Sequence, residues 1–269
     1  ELLADIARTR RLEPAGIQEV VDREGLIRAQ PALEGKLVDR VAYRDEVYDD
    51  LKTRTGRAGS KEPFRQVALD QYAKQLKDGG AETGRKAAAK GRIALVYAEG
   101  EIVDGEGQIG EIGGSELSRT LRRLRQDPNV KAVVLRVNSP GGSASASEVI
   151  QREVRLIREV KPLIVSMGSY AASGGYWISA PADRIFAESS TITGSIGVFG
   201  LFLNYEDLAK KIQLGTDGVK TARYADLLAE HRRATPAELA VIQSSVDGVY
   251  EDFLAIVAAG RGLKRDGVH

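Results

Sequence analysis

"VKAVVLRVNSPGGSASASEVIQREVRLIREVKPLIVSMG" (Val130–Gly168) reads as strand, glycine turn, helix and second strand. Val133, Val134, Leu135 and Val137 form a near-continuous apolar run, the pattern of a strand buried on both faces. Pro140, Gly141 and Gly142 break it. Ala146, Ile150, Val154 and Ile157 then recur at the helical period, and "PLIVSMG" returns as another apolar strand. Two such strands joined by a crossover helix predict a parallel sheet covered by helices.

The alternation continues on both sides. "RIALVYAEG" (Arg92–Gly100) reads as a strand, and "SELSRTLRRLRQD" (Ser115–Asp127) as a helix with Leu117, Leu121 and Leu124 on one face. Downstream, Leu239, Ile242, Val246, Val249, Phe253 and Ile256 recur at steps of three and four. That predicts a helix from Thr235, with Pro236 just inside it and Gly260 as its stop. Residues 1–52 read as helices plus one strand: Pro14 suits a first helical position, and "ALEGKLVDRV" (Ala32–Val41) predicts a helix end at Gly35 followed by a short strand. Residues 53–91 are polar around one predicted helix, Phe64–Leu76, and read as a linker. The fold class is therefore α/β.

The chain has 269 residues, 39 Lys and Arg against 38 Asp and Glu, and no cysteine. The charge balance argues against a polybasic nucleic-acid arm, and disulfides and thiolate metal sites are excluded. It opens on Glu1 with neither initiator nor signal peptide, and so reads as a piece of a longer chain. Although 29% of residues are charged, Pro162–Ala182 and Ser189–Tyr205 carry no charge at all. The first window is long enough to span a bilayer, but its serines and tyrosines and the bracketing Pro162 and Pro181 favour a buried strand running into a buried helix. The ends resemble each other: aligned without gaps, residues 1–18 and 252–269 share Leu3/Leu254, Ala4/Ala255, Ala7/Ala258, Arg10/Arg261, Leu12/Leu263 and Gly16/Gly267. Two similar amphipathic helix ends would give this; so would a tandem duplication with a period near 250 residues, the chain then holding the tail of one copy and most of the next.

The chemistry lies at the ends of the strands. "VNSPGGS" (Val137–Ser143) places backbone N–H groups where a helix begins, suited to an anion or an oxyanion. "MGSYAASGGYW" (Met167–Trp177) repeats the arrangement one unit later, with a strand expected to end at Gly168 and Ser173 at the start of an apolar helix. Small neighbours admit a substrate carbonyl, and the helix dipole favours negative charge on Ser173 Oγ. Two glycine turns on neighbouring parallel strands sit where such sheets bind ligands.

These two stretches, "LRVNSPGGSASASEVI" and "SMGSYAASGGYWISAPADRIFAESSTITGSIGVFG", together resemble the signal peptide peptidase A (protease IV) family in its long tandem-repeat form. The resemblance implies a Clp protease/crotonase-like fold, a serine–lysine dyad and no cofactor. It divides the chain into the C-terminal tail of a first repeat (1–52), a linker (53–91) and a second repeat carrying the nucleophile (92–269). It makes Ser173 the nucleophile, puts the N–H groups of Gly174 and Gly141, with Gly142 adjacent, in the oxyanion hole, and sets Ser195 and Thr193 beside the dyad. The stretch around them would be a wall along which the substrate lies extended. It implies hydrophobic peptide substrates such as cleaved signal peptides, and a membrane-anchored homotetramer on the extracytoplasmic face of the bacterial inner membrane.

The general base departs from the pattern of short, single-copy relatives. Their lysine falls at Ala225 of "GVKTARYADL" (Gly218–Leu227), and Lys220 is five residues early. In the tandem form the lysine comes from the first repeat, which would lie upstream of Glu1, leaving these residues alone inactive. Lys220 is the alternative base within the chain; Lys61 and His231 read as solvated charges, and no His, Asp and Glu cluster has metal-ligand spacing. Two rival readings are a crotonase-like acyl-CoA enzyme, whose chemistry relies on carboxylates although Glu148 and Glu188 do not sit at the two glycine turns, and an incomplete repeat kept for assembly.

Overall fold

The computed structural model describes residues 2–64 and 91–268. Four helices come first: α1 (Leu2–Arg10), α2 (Pro14–Glu24), α3 (Ala29–Glu34) and α4 (Arg44–Arg54). Then follow β1 (Arg92–Glu99), β2 (Glu101–Val103), β3 (Glu111–Gly113), α5 (Gly114–Gln126), β4 (Val130–Ser139), α6 (Ala144–Arg158) and β5 (Leu163–Ala172). The remainder is α7 (Gly174–Ser179), β6 (Arg184–Phe186), β7 (Ile192–Gly194), α8 (Glu206–Lys211) and α9 (Pro236–Arg261). The helix expected over Phe64–Leu76 lies almost wholly outside the described residues.

The chain divides into two compact units, and the division falls inside α9. One gathers the described residues of Glu1–Ala87 with Phe202–Ile242; the other gathers those of Ala88–Leu201 with Gln243–His269. In the second, β1, β4, β5 and β6 lie side by side in that order, with β7 also on β5, and every pairing is parallel. The parallel α/β sheet expected from the alternation is present. Its core is built from Val133, Leu135 and Val137 of β4 and Leu163, Val165 and Met167 of β5, against Leu121 of α5 and Ile150, Val154 and Ile157 of α6. These are the residues whose periodicity marked the elements.

Three expectations fail. Residues 38–41 form no strand; α3 ends at Glu34, capped by Gly35, and Val41 is exposed. β5 does not end at Gly168 but runs to Ala172 through an irregularity: Val137 faces Met167, yet Ser139 faces Ala171. The Asn138 side chain fills the gap, its Oδ1 accepting the Tyr170 N–H at 3.2 Å where a Cβ on Gly168 would stand only 2.7 Å away. Gly260 does not stop α9 but lies within it, because a Cβ there would meet the Ala180 carbonyl at 2.4 Å; Gly262, at φ 64°, follows the last helical residue.

Candidate active site

β5 carries the chain directly into Ser173, which precedes α7 at φ 50° and ψ −120°. A non-glycine residue is strained there. Three backbone bonds hold it: the Ser173 N–H donates to the Gly194 carbonyl of β7 at 2.9 Å, and the Ser173 carbonyl accepts the N–H groups of Tyr176 and Trp177, both at 2.9 Å. The hydroxyl makes no helix-capping bond. An ordinary N-cap serine would have turned it onto the helix. Trp177 anchors the short helix, its ring tilted 35° against Phe253 of α9 at 4.5 Å between centroids and its Nε1 donating to Glu148 of α6 at 3.2 Å.

The turn after β4 packs against this point. A Cβ on Gly141 would stand 2.6 Å from the Gly174 nitrogen and 2.8 Å from Ser173 Cβ; one on Gly174 would stand 2.6 Å from Ser147 Oγ and 3.3 Å from the Gly142 nitrogen. Only glycine permits that approach. The Gly141 N–H is already used, donating to the buried Ser139 Oγ at 3.1 Å. The N–H groups of Gly142 and Gly174 make no bond among the described residues. Two adjacent, unused N–H donors beside a serine hydroxyl are what a carbonyl oxygen acquiring negative charge requires.

The other expected residues are placed as follows. Thr193 lies on β7 opposite Ala171, its hydroxyl donating to the Ala171 carbonyl at 2.9 Å with Met167 Sδ at 3.3 Å. Ser195, at φ 48°, follows the residue whose carbonyl holds Ser173. Thr193 therefore secures the end of β5 through its side chain. Lys220 and Ala225 belong to the other compact unit. Lys220 Nζ sits 2.7 Å from Asp226, whose carboxyl it holds below the usual range, and Arg232 pairs with the same carboxylate at 2.7 Å. Lys220 is thus engaged as the partner of a carboxylate in the compact unit that does not hold Ser173. Lys131 and Lys161 stand where β4 and β5 begin, at the end away from Ser173, and donate to backbone carbonyls. Ser139, Ser147 and Asp104 were missed from sequence; for Asp104 the signal was the Asp-Gly of "EIVDGEG" (Glu101–Gly107).

Residues 155–269 match the sequence profile described as peptidase family S49. The chain is 39% identical over 267 residues to "Protease 4" of Salmonella typhi and 43% identical over 230 residues to "Protease 4" of Haemophilus influenzae. These matches cover 96% and 85% of this chain, which spans 42% and 36% of the two relatives. A "Putative signal peptide peptidase SppA" of Enterococcus faecium is 34% identical over 192 residues, covering 70% of this chain and 56% of that protein.

Proposed function

Because the chain belongs to peptidase family S49, we propose that it supplies the nucleophile and oxyanion hole of a serine peptidase that degrades apolar, membrane-derived peptides such as cleaved signal peptides. Ser173 Oγ attacks the scissile carbonyl carbon, and the carbonyl oxygen takes up the negative charge between the N–H groups of Gly142 and Gly174. The hydroxyl proton passes to a general base, which later returns it to the leaving amine as the peptide bond breaks. Water then hydrolyses the acyl-enzyme. The observation that carries this reading is the pair of unused N–H donors beside a strained, uncapped serine.

The base comes from outside these residues, from a preceding repeat. The engagement of Lys220 with Asp226, the placement of Lys131 and Lys161, and the likeness of residues 1–18 to 252–269 support this. Residues 1–52 would then be that repeat's tail, 53–91 the linker and 92–269 the second repeat. Ser195 and Thr193 lie on the segment that orders Ser173 and the adjoining substrate wall, where Ile192, Phe199 and Leu201 are exposed. No described helix is long and apolar enough to cross a membrane; membrane attachment, an extracytoplasmic site and a homotetrameric assembly are part of the proposal for the full-length protein. Turnover of an apolar fluorogenic peptide tests the base. Full-length protein should cleave it, residues 1–269 alone should not, and robust cleavage by residues 1–269 that Lys220→Ala abolishes would overturn the outside base.

A further inference from the structure

Gly142 owes the direction of its N–H to β2. Ile102 of β2 donates its N–H to the Gly141 carbonyl at 2.8 Å and accepts the Ser143 N–H on its own carbonyl at 2.7 Å. Within one planar trans peptide the C=O and the N–H point in opposite directions. With the Gly141 carbonyl turned toward β2, the Gly142 N–H points away from β2, and the Gly142 nitrogen lies close to Gly174. A Cβ on Gly142 would stand 2.1 Å from the Ile102 carbonyl oxygen, so the seat is close and fixed.

β2 has three residues, pairs with the three of β3 and bridges Gly142 through Ile102, and the Ile102 and Ile112 side chains enter the core. Two such strands do not support themselves. The loop beyond is tied to α5 by the Ser115 N–H on the Gly105 carbonyl at 2.8 Å and by the Arg119–Glu106 ion pair. Toward the start of α6 the residue after β2 sends its side chain, Asp104. Asp104 accepts the Ser143 hydroxyl on Oδ2 at 3.0 Å and the Ser145 hydroxyl on Oδ1 at 2.9 Å, and Ser143 Oγ also accepts the Ala146 N–H at 3.2 Å as the cap of α6. Hydrogen bonds to a carboxylate are the stronger kind, and a negative charge at the first turn of a 15-residue helix is favourable.

We propose that Asp104 is a positioning residue: by clamping β2 to the start of α6 it aims the Gly142 N–H into the oxyanion hole. This rests on the serine-peptidase reading above. Asp104 touches no substrate and acts through Ile102, Ser143 and Gly142.

The test uses full-length protein. Asp104→Ala should lower kcat by about 100-fold, the scale of a donor misplaced by about 1 Å and the lower end of that for a donor removed, with KM within about threefold of wild type. Phosphonylation of Ser173 by a fluorophosphonate should slow in parallel. Asp104→Asn should return kcat to within about fivefold, because the amide oxygen accepts one hydroxyl and its N–H donates to the other. Ser145→Ala, which leaves the cap intact, should fall between wild type and Asp104→Ala. Wild-type kcat in Asp104→Ala, or a loss no larger than the unfolded fraction measured by circular dichroism accounts for, would overturn the clamp while leaving Ser173 labelling in wild type untouched. Labelling that survives Ser173→Ala would overturn the peptidase reading, and the clamp with it.

Discussion

Ser173 occupies backbone geometry that glycine tolerates and serine does not, at a strain of order 1–3 kcal/mol. The surrounding structure holds it there through Gly194, Tyr176 and Trp177. Replacing it by glycine should relieve the strain and remove the nucleophile together. Ser173→Gly is therefore expected to unfold at higher denaturant than Ser173→Ala, by about 1 kcal/mol, with both inactive; equal midpoints would show that the backbone carries no strain. The serine was readable in sequence because small residues and two glycines leave little else for that turn to do. Which glycine N–H faces the substrate was not readable. It depends on a bond between Ile102 and Gly141, 39 positions apart, and on Ser139 having taken the Gly141 N–H.

Among the elements, those long enough to show a period were legible. β4, α5 and α6 carry their apolar residues where the core lies, as expected; β1 buries Val96 and Ala98 but exposes Ile93, Leu95 and Tyr97, and α9 buries Phe253, Leu254 and Val257 while Leu239 is exposed. β2, β3, β6 and β7 have three residues each, too few for any alternation to show. Yet β2 orients Gly142, and β7 holds Ser173. A second hidden feature is ionic. Glu153 of α6, 2% exposed, binds Arg122 at 2.7 Å and Arg125 at 3.3 Å, both on α5. Converting both arginines to methionine strands a buried carboxylate and should destabilise the protein by about 3–5 kcal/mol in chemical denaturation. A loss below about 1 kcal/mol, the worth of surface pairs, would mean that the carboxylate reaches water.

Across the whole molecule, the two compact units place the chemistry in one and a carboxylate cluster in the other. At the start of α9, Glu238 is 3% exposed, pairs with Arg232 and accepts the Thr235 N–H at 2.7 Å. The Arg232 guanidinium, first, and the Thr235 bonds hold the carboxyl down at about 2, against 4.5 in the unfolded chain. A depressed carboxyl binds its proton more readily when unfolded. Its contribution is thus complete above about 4.5 and is lost as pH falls toward about 2. The stability gap between wild type and Glu238→Gln should be constant from pH 7 to about 5 and shrink below it; a gap that widens on acidification would contradict the pairing. The parallel sheet, and the turn that holds the proposed nucleophile Ser173, were legible from local pattern. The gathering of Phe202–Ile242 with the N-terminal helices was not, since it rests on contacts such as the Arg223 N–H on Asp22 at 2.7 Å. The most direct measurement is mass-spectrometric mapping of fluorophosphonate on active full-length protein. A single adduct on Ser173, absent from Ser173→Ala, is the expected result; no adduct on active protein, or one that persists in Ser173→Ala, would contradict Ser173 as the nucleophile.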